Sequence, residues 1–208
     1  VLIIFTGGTT GIPKSMLLNI RHVTQASYLE AEYVRKTLER LEFHETPKIL
    51  LNLPPSHVGG TVEIQGTCLA GGYHIIMQQF WSPIPVLEAI QEHKITLIGA
   101  VPTMYAILLS LPNLASYYLS SVKLAIVGGE KLNIELIKGI KAKICPNLVN
   151  GYGSTEFGPE VTFSVLDDPD EKLADGYAGH ALPGVELKVV DPQGKDLSPG
   201  QEGELLVR

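Results

Sequence analysis

The chain has 208 residues, 45% of them hydrophobic and 18% charged, enough for one large domain with a substantial core. No stretch approaches the roughly eighteen continuous apolar residues of a membrane span. A formal charge of −6 without a basic cluster argues against nucleic acid as the main partner. Cys68 and Cys145 are the only cysteines, without a C-x-x-C pair, and the histidines are scattered. A disulfide framework, a zinc ribbon and a His-based metal site are therefore not expected. Two buried free thiols in a reducing cytoplasm is the plain expectation. Val1 opens a hydrophobic strand and the strand-like GELLVR closes the chain, so both ends read as cut from a longer protein, with no targeting segment in view.

VLIIF (1–5) reads as a buried strand bounded by Gly. TGGTTGIPKS (6–15) follows, a Gly/Thr-rich loop with one Pro and one Lys that suits neither a helix interior nor an ordinary strand. Val23, Ala26, Leu29, Tyr33, Val34, Leu38 and Leu41 then recur at i, i+3, i+4 spacing and predict a helix over about 21–41. KILLNL (48–53) is a strand ending at Pro54-Pro55. A helix over 57–69 is weakened by Gly59-Gly60. YHIIMQ (73–78) is a strand, and 83–93 a helix with prolines in its first turn. ITLIGAV (95–101) is a strand, 103–111 a short helix, and VKLAIVGG (122–129) a strand ending in two glycines. Asn133 is placed as an N-cap before an isoleucine stripe at 134, 137, 140 and 144, and Pro146 stops that helix before NLVNGYG.

Strands alternating with helices predict an α/β fold with a mostly parallel layered sheet and flanking helices. From Gly176 the texture changes to short strands joined by Gly/Pro turns, a small antiparallel β unit at the C-terminal end. The expected organisation is an α/β ATP- and acyl-binding subdomain over 1–175 and the start of a small β subdomain over 176–208.

Ligands of open α/β sheets bind outside the carboxyl ends of the strands, so a loop leaving VLIIF is placed for binding. Gly lets backbone N–H groups approach a ligand, Thr adds hydroxyl donors and Lys14 a cation, a combination suited to a polyphosphate. The P-loop pattern fails, because Ile12 and Pro13 separate Gly11 from Lys14, and G-x-G-x-x-G is absent. A glycine-rich turn without a ligand is the bland alternative, although three Thr and a Lys exceed what a turn requires.

TGGTTGIPKS resembles the phosphate-binding signature of the adenylate-forming (AMP-binding) superfamily, which includes acyl-CoA synthetases, luciferases and peptide-synthetase adenylation domains. It departs only at Ser15, where the family usually has Gly. LNLPPSHVGG (51–60), AIVGGEKLN (125–133), NGYGSTEFG (150–158) and GYAGHALPGVELKVVD (176–191) with GQEGELLVR (200–208) resemble further family segments, in the family's order and along the whole chain.

The resemblance implies an acid–thiol ligase reaction: carboxylate plus MgATP gives acyl-adenylate and pyrophosphate, followed by capture on CoA or on carrier-protein phosphopantetheine. Charge neutralisation and positioning at the α-phosphorus would dominate such catalysis. It further implies that Thr6, Gly7, Gly8, Thr9, Thr10, Gly11 and Lys14 hold the phosphates. Tyr152 would stack on adenine, with Gly129, Glu130, Asn150, Gly151 and Gly153 around it. Thr155 would bond the α-phosphate, and Glu156 would hold Mg²⁺. His57, Gly128 and Gly153 would border the acyl substrate, His57 being equally readable as a packing or helix-start residue. Glu63 and His74 are not nominated.

In the family, a ribose-binding Asp, a hinge and a small domain with a catalytic Lys lie further on than Arg208. Residues 1–208 alone are therefore expected to be inactive or nearly so. Amino-acid-activating relatives place an Asp near the His57 segment, whereas PPSHVGG has no acid before Glu63. This favours a fatty or aryl carboxylic acid. Small residues at 59, 60, 128 and 129 are expected to leave room for it. The alternatives are a loading module serving an acyl carrier protein, a luciferase-like oxygenase, and a non-catalytic nucleotide-binding interaction domain.

Overall fold

The structure is a computed structural model that describes residues 1–6 and 13–208. In chain order the strands are β1 (Leu2–Thr6), β2 (Lys14–Leu18), β3 (Lys48–Leu51), β4 (His74–Met77), β5 (Leu97–Ala100), β6 (Leu124–Gly128), β7 (Leu148–Ser154), β8 (Gly158–Phe163), β9 (His180–Ala181), β10 (Leu187–Val190) and β11 (Glu204–Val207). The helices are α1 (Ile20–Arg40), α2 (Thr67–Gly71), α3 (Pro83–His93), α4 (Pro102–Ser110), α5 (Ile134–Lys143) and α6 (Asp170–Ala174), and a π-helical segment, Gly59–Gly66, leads into α2.

The main sheet runs β4-β3-β5-β6-β7-β8-β9. The pairs from β4 to β7 are parallel, while β8 and β9 add antiparallel strands at one edge. Successive strand residues feed opposite layers, as the two-residue period of a strand requires. Leu50, Ile98, Ala125 and Leu148 pack among Leu87 and Ile90 of α3, Tyr105 of α4 and Ile137 and Ile140 of α5. Ile49, Leu51, Leu97, Leu124 and Val149 face the other layer, with Val34 and Leu38 of α1, Ile64 and Cys68. Burial on both faces explains the nearly unbroken apolar runs of β3, β5 and β6.

Both cysteines are free and buried, and burial raises their thiols to about 12 for Cys68 and about 11 for Cys145. The expected Asn133 cap is present, its Oδ1 accepting from Leu136 N at 2.8 Å, and prolines occupy the first turns of α3 and α4. Asn19 caps α1 in the same manner, accepting from Arg21 N at 2.9 Å. Tyr105, fully buried, places its hydroxyl 3.1 Å from the carbonyl oxygens of both Ile98 and Ile126.

One local expectation is corrected. VLIIF is not a buried strand of the main sheet. β1 pairs antiparallel with β2 alone, with Ile3 55% and Phe5 66% exposed, while Ile4 is buried among Leu18, Val23, Val58 and Val62 and Leu2 packs half-buried on the same cluster. KSMLL, passed over on the way to the first helix, is the partner strand. β8 was unseen because GPEVTF begins with Gly and Pro, and it is held by tertiary contacts: Tyr33 stacks on Phe163 at 4.2 Å and donates to Ser164 O at 2.6 Å. The small C-terminal unit is present as the antiparallel pair β10–β11.

Tyr105→Phe is expected to cost about 1–2 kcal/mol, because a buried carbonyl loses its donor. Urea denaturation would measure this against Tyr118→Phe, at a side chain 75% exposed, where the change should stay within about 0.5 kcal/mol.

Candidate active site

Parallel pairing sets the carboxyl ends of β3, β5, β6 and β7 side by side, with Ala100 beside Val127 and Gly128 beside Gly151. The chain leaves these ends at Leu53, Val101, Gly129 and Thr155, and all four line one cavity of about 460 Å³. That lies within the roughly 300–1,000 Å³ usual for small-ligand sites. α1, the π-helical segment and β8 supply the opposite wall through Glu30, Val34, Gly59, Glu63 and Glu160.

Of the residues expected at the site, Thr6, His57, Gly128, Gly129, Gly153, Thr155 and Glu156 line this cavity together. Gly7, Gly8, Thr9, Thr10 and Gly11 lie outside the described residues. Lys14 stands directly opposite Thr6 in the β1–β2 register. Glu156 is exposed, and its carboxyl is held below the usual carboxylate range. The main cause is the hydroxyl of Ser154, which donates to it; its own backbone N–H and the charge of Lys14 add to the effect. His22 Nε2 donates to Phe157 O at 2.6 Å, fixing the 154–158 turn to α1.

The remaining nominated residues that are described do not line the cavity. Tyr152 is 37% exposed, its ring 6.1 Å from that of Phe157. Glu130 is exposed. Gly151 packs against Glu160 and Phe163. Asn150 donates through Nδ2 to Tyr177 O at 3.1 Å, while its Oδ1 is buried without a donor. His57 Nδ1 accepts from Gly59 N at 3.1 Å, which orients the ring toward the start of the π-helical segment. Gly60 does not line the cavity. A Cβ there would stand 2.2 Å from Pro54 O, so its size serves the turn of the backbone and not a ligand.

Three carboxyls in the wall were not nominated. Glu30 is 3% exposed; its Oε2 accepts from Thr67 Oγ1 at 2.7 Å and its Oε1 from Glu160 N at 3.2 Å. Glu63 and Glu160 lie within hydrogen-bonding reach of each other. Burial, followed by mutual repulsion, pushes Glu30 and Glu63 well above the ordinary carboxylate value, and burial raises Glu160 as well. The signal was present in spacing: Gly59, Glu63 and Thr67 recur every four residues, as do Glu30 and Val34, and all five line the cavity.

A cavity at the carboxyl ends of parallel strands, bordered by Thr6, Thr155 and Glu156, is where ligands of open α/β sheets bind. The chain belongs to the AMP-binding enzyme family, which it matches over residues 1–208. It is 31% identical over 211 residues to an indoleacetate–CoA ligase of Aromatoleum aromaticum, covering 100% of this chain and 39% of that protein. The ATP-bound MatB of Rhodopseudomonas palustris superimposes with a TM-score of 0.82 at 27% identity, over 99% of this chain and 39% of that one. The O-succinylbenzoate coenzyme A synthetase of Bacillus subtilis, in complex with ATP and magnesium ion, gives 0.81 at 26% identity, over 99% and 40%. The chain thus spans about two-fifths of the length of these relatives. Among the described residues no helix is long and apolar enough to cross a membrane.

The raised carboxyls have a thermodynamic sign. Above the ordinary value of 4.5 the folded state holds more protons than the unfolded chain, so stability falls as pH rises from there. Glu63→Gln, neutral throughout, should raise Tm by a few degrees near pH 8 and flatten its decline from about pH 5 upward. Thermal melts across that range would show it.

Proposed function

We propose that this chain forms the nucleotide- and acyl-binding part of an ATP-dependent acid–thiol ligase. Its carboxylic acid substrate, fatty or aryl in character, attacks the α-phosphorus of ATP, pyrophosphate leaves, and the acyl group passes from AMP to the thiol of CoA. The observation that carries this reading is the convergence of Thr6, Thr155, Glu156 and His57 on one cavity, with Lys14 opposite Thr6.

The residues fit the nucleotide. Thr155 is 8% exposed and lines the cavity, suited to donate its hydroxyl to a phosphate oxygen. Lys14 brings a cation to the same rim, and residues 6–11 would complete the phosphate cradle. Tyr152 offers a partly exposed aromatic face for adenine. The unpaired Asn150 Oδ1 is an acceptor that the adenine amino group would satisfy. Glu156, kept ionised by Ser154, suits Mg²⁺, a hard cation held through one or two carboxylates plus phosphate oxygens. Bound there, Mg²⁺ would offset charge on the triphosphate. His57, oriented by Gly59, would border the incoming carboxylate, and Val34, Ile49, Leu97 and Ile126 would receive its apolar body.

Carboxylate-dependent ATP–pyrophosphate exchange in the full-length protein tests this. Exchange is expected with acids of one structural class, and Lys14→Ala and Glu156→Gln should each lower it by roughly 10²-fold or more. A folded protein that exchanges with no acid, or whose exchange ignores both substitutions, would overturn the proposal.

A further inference from the structure

Thr155 and Glu156, which the proposed function sets against the triphosphate and Mg²⁺, belong to a chain reversal between β7 and β8 that strand pairing does not fix. The β7–β8 ladder shifts register at Tyr152/Gly153 and again at Gly153/Ser154, and such irregularities leave residues unpaired and bend the strand. Inside the turn, Phe157 N donates to Ser154 O at 3.3 Å and Glu156 N to Ser154 Oγ at 3.4 Å, both long for N–H···O bonds. Among the described residues, the one side chain from elsewhere in the chain that hydrogen-bonds residues 154–158 is His22, whose Nε2 lies 2.6 Å from Phe157 O. A carbonyl oxygen only accepts, so Nε2 carries the hydrogen and is not free to ligate a metal. The ring comes this close because position 158 is glycine. A Cβ there would stand 3.1 Å from Nε2, and the backbone φ of +97° is one that residues with side chains rarely adopt.

His22 is in turn held firmly to Lys14. β2 begins at Lys14 and runs almost directly into α1, whose first turn carries His22. Leu18 and Val23, on either side of that corner, are buried with Ile4, Val58 and Val62. Asn19 closes the corner, its Oδ1 accepting from Arg21 N at 2.9 Å and its carbonyl oxygen from Val23 N at 3.0 Å. A path thus runs from Lys14 through the corner to His22, across one hydrogen bond to Phe157, and on to Glu156. Its two ends meet, since the charge of Lys14 acts on the Glu156 carboxyl.

We propose that His22 is a positioning residue that sets the spacing between Lys14 and Glu156, and with it the fit of the site to magnesium-bound ATP. This role presupposes the adenylation reading and adds to it a residue that does not line the cavity. His22 acts through the Phe157 carbonyl. What counts is an N–H donor at that point, not imidazole as a base.

The test compares three variants of the full-length protein. His22→Ala removes the donor from an exposed helical position where Ala is the better helix former, so α1 is retained. His22→Gln returns an N–H, because its Nε2 lies as many bonds from Cβ as that of His. Tyr33→Phe deletes a different bond from α1, to Ser164 O, and controls for general loosening. His22→Ala should raise the Kd for MgATP in calorimetric titration, and the KM for MgATP in pyrophosphate exchange, by about five- to tenfold. The KM for the carboxylic acid should stay unchanged. His22→Gln should recover most of the loss, and Tyr33→Phe should lower Tm without moving either constant. Wild-type constants in His22→Ala, equal losses in Ala and Gln, or the same loss in Tyr33→Phe would each overturn the positioning role with adenylation intact. If the wild type binds MgATP but exchanges with no acid, adenylation is overturned, and titration alone decides the rest: a loss in Ala that Gln recovers sustains the role, and any other pattern overturns it too. A wild type that neither exchanges nor binds MgATP would overturn both.

Discussion

Parallel hydrogen bonding among β3, β5, β6 and β7 is the constraint on which everything else depends. It places four chain reversals on one edge of the sheet, and helices cover both faces, so that edge is the place where the layers can part. Leu53, Val101, Gly129 and Thr155 are brought together by this pairing although they are scattered through the sequence. The antiparallel β8 then folds back beside β7, opposing Glu160 to Gly153. One edge of a sheet thereby acquires a wall, and an open groove becomes a chamber.

Much of the fold was legible because its local and long-range preferences agree. The helix 83–93 shows its prolines, its apolar stripe and its boundary at once, and Asn133 caps α5 with the side chain its sequence position suggests. The strands buried on both faces announce themselves as apolar runs. What escaped was held by contacts remote in sequence. β8 begins at Gly158 and Pro159 and exists because Tyr33, about 130 positions away, stacks on Phe163 and bonds Ser164. β1 reads as a core strand because its residues are apolar, yet Ile3 and Phe5 stand exposed.

The site divides along the same line. Motif residues Thr6, His57, Thr155 and Glu156 could be picked from local patterns, and they do share a cavity. Local spacing aligns Glu30 with Val34 and Glu63 with Gly59 and Thr67, but nothing local joins the three acids, which belong to separate elements. An isolated Glu in a sequence reads as a solvated surface charge; tertiary packing alone turns it inward. Gly60 shows the converse error. It looked like spare room for a ligand, but its missing side chain accommodates the carbonyl of Pro54.

The π-helical segment gives the cavity a further property. A wider turn between Gly59 and Gly66 lets neighbouring positions 63 and 64 both reach the chamber, one with a carboxyl and the other with a hydrocarbon. Glu63 and Ile64 thus set contacts of opposite polarity side by side in one wall. Two neighbouring positions thereby set both the shape and the charge of this wall, while Thr6, Thr155 and Glu156 lie on other elements of the chain.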